Sequence, residues 1–258
     1  MKYNTKLYYL NEQTDEVLNF KSYNKKIDKN YKYIHQNPFY KLWSFFTYRI
    51  LAMPIVWIYY KIFKRVKFIN HKILKKHKKG GYFIYANHTN QFGDAFLPSL
   101  ICFPKKPYIV VHPDNVSIPF IGKYLKMWGA LPTPNTVQAT KNFNNSIKFL
   151  LSKHHPILIY PEKHLWPYYT KIRNFNSTCF KYPIKYNKPV FCFTTVYKLK
   201  KLGKKPKLEV YVDGPFFTDN KINNSQQSLR DLVYLKMCER SNNSNYSYFN
   251  YIKGDKND

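Results

Sequence analysis

Short apolar runs alternate with longer amphipathic segments over most of the chain, between residues 80 and 240. Runs of β-prone apolar residues bounded by Gly, Pro or Asn indicate buried strands, whereas apolar residues repeating every three to four positions indicate helices. The predicted strands are residues 82–86, 108–111, 156–160, 190–196 and 208–212. The predicted helices are residues 94–102, 119–127, 136–153 and 226–240. This alternation predicts an α/β fold with a mostly parallel, mixed sheet flanked by helices.

One segment, residues 39–65, is apolar and aromatic along most of its length. Its most apolar part, residues 50–60, is shorter than the roughly 20 apolar residues that span a bilayer, and Pro54 interrupts it. Tryptophans such as Trp43 and Trp57, between basic ends, are typical of the headgroup level of a membrane. We expect a helix that lies in the membrane interface. A buried core helix and a full membrane span are the alternatives.

Polar segments lie on either side of the structured part of the chain. Residues 1–38 are rich in Asn, Lys and Tyr without clear periodicity, so we expect a weakly ordered or peripheral arm with no cleavable signal peptide. Residues 66–240 hold the predicted α/β domain, and the composition of residues 241–258 favours a frayed polar tail. The chain is therefore divided into an arm, an interfacial helical segment, a domain and a tail.

The charge balance is strongly basic, with 43 Lys and Arg residues against 14 Asp and Glu residues and a formal net charge of +29. Such a field attracts polyanions, which include nucleic acid, anionic lipid headgroups and phosphorylated substrates. Codon bias in an AT-rich genome is an alternative origin of the excess, because Asn, Tyr, Ile and Phe are abundant together with Lys. The charge supports an anionic partner without identifying it.

The cysteines carry no sign of a metal site. Cys102, Cys179, Cys192 and Cys238 are far apart and lack the spacing of zinc ligands. They fit small core residues in a reducing compartment. We expect neither a metal ion nor a bound cofactor.

One acidic residue stands out because acids are scarce. Asp94 follows His88 by six positions, just after the predicted strand 82–86. On a continuous helix this spacing separates the side chains by about 240°, so a contact requires a turn, and Gly93 can supply unusual backbone angles. Asp94 would then accept a hydrogen bond from one imidazole nitrogen and leave the other free to take a proton. The alternative is a plain helix N-cap at Asp94.

A second predicted strand end also carries an acid, since Glu162 follows strand 156–160 in the sequence "ILIYPEKH". Sites in open α/β folds form at the carboxyl ends of strands. If the two strands are neighbours, His88 and Glu162 lie at the same edge of the sheet. The alternative for Glu162 is a structural carboxylate paired with a nearby lysine.

Four short motifs follow one another in a characteristic order: Asn87-His88 with Asp94, "GALP" at 129–132, "YPE" at 160–162 and "KPV" at 188–190. Over residues 66–213 this order resembles the glycerolipid acyltransferases, the group that includes the lysophosphatidic acid acyltransferases. The family places four residues between the His and the Asp, whereas this chain has five. The family's third motif ends in Gly-Thr-Arg, and those three residues are absent here.

The resemblance implies the transfer of a fatty acyl group from acyl-CoA or acyl carrier protein to a hydroxyl of a lysophospholipid such as 1-acylglycerol-3-phosphate. His88 would be the general base and Asp94 the carboxylate that orients it. The family's missing arginine contacts the acceptor's phosphate, and Lys171 or Arg173, shortly after the third motif, would replace it. The implied substrate-binding residues are Asn87, Glu162, Lys163, His164, Lys171 and Arg173.

The same interpretation sets the expected location and partners. We expect a protein at the cytoplasmic face of the cell membrane, peripheral or shallowly inserted, with anionic membrane lipids as partners. The basic segments 72–79 and 198–207 would contact the leaflet, or else form solvated turns. Two other functions stay open: a catalytically degenerate lipid-binding protein of the same fold, and a basic nucleic-acid-binding protein. The latter is disfavoured because no recognised nucleic-acid-binding motif is present.

Overall fold

The fold is built on a central sheet of seven strands. The computed structural model describes residues 2–18, 22–200, 204–217 and 224–254. The strands in these ranges are β1 (Lys6–Tyr9), β2 (Lys67–Ile69), β3 (Phe83–Ala86), β4 (Tyr108–Val111), β5 (Ala130–Pro132), β6 (Ile157–Ile159), β7 (Val190–Lys198), β8 (Lys207–Phe216) and β9 (Asn250–Lys253). The order in the large sheet is β2-β8-β7-β3-β6-β4-β5, and all neighbours are parallel except β7 and β8. The predicted mostly parallel, mixed sheet is therefore confirmed.

Helices cover both faces of the sheet. The α-helices are α1 (Pro38–Phe45), α2 (Met53–Trp57), α3 (Leu97–Ile101), α4 (Ile121–Trp128), α5 (Val137–Ser152), α6 (Lys181–Tyr186) and α7 (Ser225–Ser241). Short 3₁₀ helices occur at His71–His77, Pro113–Ser117 and Thr178–Phe180. Two π-helical stretches, Phe46–Ala52 and Ile58–Phe63, join α1 to α2 and extend it. Residues Pro38–Phe63 thus form one continuous helix of 26 residues, here called the apolar helix.

Burial explains the apolar character of the central strands. All four residues of β3 are buried, because helices cover the sheet on both sides, and a strand of that kind is apolar at every position. One core contains Phe143 of α5 and Val233 of α7. The other contains Val56 of the apolar helix and Leu97 of α3. The site described below lies on the second side, where β3 meets α3.

The apolar helix packs on the domain by one face only. Thr47, Met53 and Tyr60 are buried on that face, and the hydroxyl of Ser44 donates to the carbonyl of Met127 at 2.7 Å. Only 28% of its most apolar stretch is buried, which is low for a core helix. By length and composition alone this helix is able to cross a membrane. The exposed apolar side chains of the helix include Phe39, Leu42, Trp43, Phe45, Ile50, Ile55, Trp57, Ile62 and Phe63.

The two ends of the chain are more ordered than their composition suggests. β1 and β9 pair in parallel, with Tyr8 opposite Ile252, and Leu18 and Ile27 of the arm are buried. The predictions of a weakly ordered arm and a frayed tail are therefore wrong for these residues, because the pairing joins segments that are distant in the sequence. The proposed domain boundaries stay a prediction. Residues 1 and 19–21 of the arm, 201–203 of the basic segment and 255–258 of the tail lie outside the described residues.

Candidate active site

His88 and Asp94 are in direct contact, as the sequence predicts. Nδ1 of His88 lies 2.7 Å from Oδ2 of Asp94. A turn after β3 brings them together: the amide N–H of Asp94 donates to the carbonyl of Asn90 at 2.9 Å, and the amide N–H of Asn90 donates back to Oδ2 of Asp94 at 3.1 Å. Because this turn closes on itself, one short segment carries both members of the pair.

The turn also corrects two expectations. The predicted helix 94–102 begins later, at Leu97, with Phe96 at the N-cap position, so Asp94 is not the cap. Gly93 does not adopt a positive φ. Instead, a Cβ on Gly93 would lie 2.1 Å from Nδ2 of Asn90, whose Oδ1 accepts the Gly93 N–H at 3.0 Å. Glycine at this position leaves room for the Asn90 side chain and is not used for a positive φ.

Tyr160 forms a platform for the imidazole. Its ring stacks on that of His88, with centroids 4.4 Å apart and planes at 22°. Its hydroxyl donates to the backbone carbonyl of Asp94 at 2.6 Å. Burial raises the pKa of Tyr160 well above its usual value, so the hydroxyl stays protonated and continues to donate. Tyr160 belongs to the third motif, directly before its Pro-Glu, but the sequence pattern does not indicate this role.

The electrostatics of the pair come from burial. Asp94 is 5% exposed, and its desolvation raises the pKa of the carboxyl group, while the hydrogen bond from His88 opposes that rise. The His88 side chain is 24% exposed. Within the described residues Nε2 of His88 has no hydrogen-bond partner, and Nδ1 is held by Asp94. Assigned as the Nδ1–H tautomer, the ring therefore offers a free basic nitrogen to an incoming molecule.

Glu162 fixes the backbone at His88. Because β3 and β6 are neighbours, Glu162 lies at the same edge of the sheet as His88, as predicted. Its Oε2 accepts the amide N–H of His88 at 3.0 Å, and its Oε1 accepts the amide N–H of Arg173 at 3.0 Å. Burial raises the pKa of Glu162, and the Arg173 guanidinium opposes this. The carboxylate is paired with an arginine rather than with the lysine of the alternative interpretation.

Arg173 does not reach the surface. Its side chain is 1% exposed, and Nη2 lies 3.3 Å from Oε2 of Glu162 and also donates to the carbonyl of His164. Its Nη1 donates to the carbonyl of Glu12 at 3.3 Å, and the guanidinium lies over the ring of Trp166. The predicted contact of Arg173 with the acceptor's phosphate is therefore wrong in this structure, because the charge is already used inside the protein.

Asn87 is also used inside the protein. Its Nδ2 donates to the carbonyl of Thr195 at 3.0 Å, and its Oδ1 accepts the Thr195 N–H at 2.8 Å. The amide thus continues the pairing of β3 with β7 one residue beyond the strand. The prediction that Asn87 binds substrate is corrected: it is 2% exposed and has a structural role.

The remaining predicted substrate-binding residues lie on the segment that follows β6. Lys163 and Lys171 are exposed. His164 is half-buried, and its Nδ1 lies 3.0 Å from Oε1 of Glu16 in the N-terminal arm. Only the two lysines therefore present a free cation on this segment, and their contact with substrate stays a prediction.

The fold is shared with a solved acyltransferase. The 1-acyl-sn-glycerophosphate (LPA) acyltransferase PlsC from Thermotoga maritima aligns with this chain with a TM-score of 0.54 at 13% sequence identity. The alignment covers 81% of this chain and 91% of that one. At this identity the likeness establishes the fold, and the function must be argued from the site. No protein-family model and no curated protein sequence matches the chain.

An apolar pocket of about 300 Å³ lies between the apolar helix and the turn that carries the His88–Asp94 pair. Phe92 and Phe96, which flank Asp94 in the sequence, form one side. Ile55, Val56, Tyr59 and Tyr60 of the helix form the other side. The sequence pattern does not indicate this pocket, because its two sides come from segments that show no common motif.

Proposed function

We propose that this protein is an O-acyltransferase of the glycerolipid acyltransferase type. It transfers a fatty acyl group from an acyl thioester, on CoA or acyl carrier protein, to a hydroxyl of a lysophospholipid such as 1-acylglycerol-3-phosphate. The observation that carries the proposal is the His88–Asp94 contact of 2.7 Å at the carboxyl edge of the sheet, beside an apolar pocket. The shared fold with the Thermotoga maritima enzyme and the order of the four motifs support it.

The proposed reaction is a direct acyl transfer. The acceptor hydroxyl attacks the carbonyl carbon of the thioester while Nε2 of His88 removes its proton. The C–O bond forms, the C–S bond breaks, and the departing thiolate takes the proton back from the imidazolium. Asp94 holds the Nδ1–H and stabilises the imidazolium while it exists. General-base assistance of this kind contributes about 10²–10⁴-fold.

The proposal also assigns a place to each half of the substrates. The pocket formed by Phe92, Phe96 and the apolar helix is the proposed place for an acyl chain, since its lining residues are apolar or aromatic. The exposed Lys163 and Lys171 are the proposed contacts of the acceptor's phosphate. Arg173 is not part of that proposal, because it is paired inside the protein with Glu162.

The proposed setting is the cytoplasmic face of the membrane. The apolar helix exposes Leu42, Ile55, Trp57 and Phe63 to solvent, while a net charge of +29 favours anionic lipid headgroups. A helix held along one face by the domain fits insertion of the opposite face into the interface. The lysophospholipid would then reach the site from the lipid surface, and the acyl thioester would reach it from the aqueous side.

The decisive experiment is an acyl-transfer assay in detergent–lipid micelles. Acyl-CoA and acyl carrier protein donors are tested against lysophospholipids with different headgroups, using the wild type and His88→Ala. The matched control is His154→Asn, because His154 is exposed and its φ of 64° suits asparagine. We expect His88→Ala to lose at least about 10²-fold in kcat and the control to retain wild-type rates.

Two outcomes contradict the proposal in different ways. Equal turnover by the wild type and His88→Ala removes His88 from the mechanism. Binding of lysophospholipid by the wild type without any turnover favours the catalytically degenerate lipid-binding function instead.

A further inference from the structure

The backbone of His88 is held on both sides by the segment that follows β6. Its N–H donates to Glu162, and its carbonyl accepts the N–H of Trp166 at 3.0 Å. One residue further on, the carbonyl of Thr89 accepts the N–H of Tyr168 at 2.8 Å. The position of the imidazole therefore depends on where Trp166 and its neighbours lie.

Trp166 is fully buried, and the two chain ends form much of its surroundings. Its ring is stacked on that of Tyr251 in β9, with centroids 5.2 Å apart and planes at 3°. The ring of Tyr9 in β1 lies 4.8 Å away on a tilted plane. The indole N–H donates to the carbonyl of Asp15 at 2.9 Å. The terminal strands β1 and β9 therefore supply the ring contacts that fix the position of Trp166.

Further contacts join the same elements. The hydroxyl of Tyr251 donates to the carbonyl of Pro167 at 2.7 Å. The carboxylate of Glu12 accepts a hydrogen bond from the Tyr169 hydroxyl at 3.0 Å, and the backbone carbonyl of Glu12 accepts one from Arg173. Both chain ends are therefore bonded to the segment 162–173, and that segment is bonded to the residue proposed as the base.

We propose that Tyr9 and Tyr251 are positioning residues for His88, and that the sheet formed by β1 and β9 is a working part of the active site. The rings hold Trp166, and Trp166 holds the His88 carbonyl, so loss of either ring shifts the imidazole relative to the substrate. A displacement of about 1 Å at a reacting group lowers the rate by up to roughly 10²-fold. The inference rests on the proposed function for its kinetic readout only.

The test uses the full chain and substitutions on neighbouring positions of one strand. Tyr9→Ser removes the ring that contacts Trp166, whereas Tyr8→Ser removes a ring that is 64% exposed and lies on the other face of β1. Tyr251→Ser removes the stacked ring, whereas Tyr251→Phe keeps the ring and loses only the hydroxyl. Tyr9→Leu, which keeps apolar bulk without a flat ring, is the substitute if Tyr9→Ser does not fold.

Two quantities are measured on variants whose unfolding transition is intact. The first is kcat against KM, for which we expect Tyr9→Ser and Tyr251→Ser to lose about tenfold in kcat with KM changed by less than about twofold. The second is the proton NMR signal of the His88 Nδ1–H, which the bond to Asp94 places downfield. We expect that signal to move upfield in the same two variants. Tyr8→Ser should match the wild type in both, and Tyr251→Phe, which keeps the stacked ring and loses the bond to Pro167, should be affected less than Tyr251→Ser.

The two readouts separate failure of this inference from failure of the proposed function. If the wild type transfers no acyl group, the proposed function is wrong, and the Nδ1–H signal still decides whether the terminal sheet positions His88. An unchanged signal in Tyr9→Ser and Tyr251→Ser, or an equal shift in Tyr8→Ser, overturns the inference.

Discussion

The imidazole of His88 lies flat against the ring of Tyr160, and the hydroxyl of the same tyrosine holds the backbone of Asp94. One side chain from the end of β6 therefore contacts both members of the pair. The ring limits the tilt of the imidazole, and the hydroxyl keeps the turn closed. These two contributions can be separated by substitution.

Tyr160→Phe should retain the platform and lose the bond to the Asp94 carbonyl. A lost hydrogen bond of this kind costs about 1 kcal/mol, which corresponds to about a fivefold lower kcat if the turn loosens in the transition state. Tyr160→Leu, which also removes the stacked ring, should lose clearly more. Steady-state kinetics on both variants check this order. Equal losses of kcat would show that stacking of the Tyr160 ring on His88 does not contribute to catalysis.

Asp94→Asn should separate stability from activity. Because burial raises the folded-state pKa of Asp94 above its unfolded value, the carboxyl form stabilises the fold at low pH, and that stabilisation is lost as the pH rises through the folded-state pKa. At pH 7 the neutral amide should therefore give a higher free energy of unfolding than the wild type, with the difference shrinking in acid. The kcat should fall by about 10²–10⁴-fold, because the tautomer is no longer held.

Urea titrations at pH 7 and at acidic pH, together with the transfer assay, check both parts of this prediction. A variant that is less stable than the wild type at pH 7 contradicts the sign derived from burial.

Gly93→Ala should disturb the site through Asn90. The added Cβ would lie 2.1 Å from the Asn90 amide, so either that side chain or the turn must move. We expect at least about a tenfold loss of kcat. The double variant Asn90→Ala/Gly93→Ala should lose less than the sum of the two single effects, since the clash is then relieved. If the kcat losses of the two single variants simply add in the double variant, the clash with Asn90 is not the cause of the effect.

Glu162→Ala should be strongly destabilising. It leaves the amide N–H groups of His88 and Arg173 without their acceptor and the buried guanidinium of Arg173 without its counter-charge, and breaking a buried ion pair from one side costs about 3–5 kcal/mol. Glu162→Ala/Arg173→Met should be closer to the wild type than the single variant, because the unpaired charge is removed as well. Chemical unfolding monitored by circular dichroism measures both, and a double variant that is weaker than the single one refutes the explanation.

Leu42→Asn should weaken attachment to lipid vesicles. Leu42 is 68% exposed on the apolar helix, and burial of a leucine side chain contributes about 1.5–3 kcal/mol, so we expect roughly tenfold weaker partitioning. Leu235→Asn is the matched control, because Leu235 is 65% exposed on α7. Co-sedimentation with vesicles containing phosphatidylglycerol measures the partitioning. Equal behaviour of the two variants would remove the apolar helix from the attachment.

Local pattern was enough to predict β3, β4, β6, β7 and β8, but not β2 or β5. The contact between His88 and Asp94 was one of two interpretations of their spacing, and the family resemblance favoured it. Each of these predictions depends on a few adjacent residues, such as the buried run of β3 or the glycine before Asp94. The substrate-binding roles predicted for Asn87 and Arg173 were wrong because the actual roles of these residues depend on the fold rather than on adjacent residues. Both are polar residues next to a motif, and only the fold reveals that Thr195 and Glu162 already occupy their hydrogen-bonding groups.

The sequence pattern does not reveal the contribution of the chain ends, because β1 and β9 are far apart along the chain. Tyr9 and Tyr251 meet Trp166 only after β1 and β9 have paired, and no periodicity in a polar segment signals such a pairing. The same holds for the pocket, whose two walls join Phe92 to Ile55 across unrelated elements. Contacts of this type become visible only when the whole topology is known.

The closed turn between His88 and Asp94 has a consequence for how the protein tolerates motion. Because His88 and Asp94 lie on one short, closed turn, small movements of the neighbouring strands should change the distance between them less than the distance from Nε2 of His88 to a bound acceptor hydroxyl. Such movements therefore act mainly on the position of the free His88 Nε2 relative to the acceptor hydroxyl. Warming, or lipid packed against the protein, should therefore change the turnover rate before it breaks the hydrogen bond between His88 and Asp94.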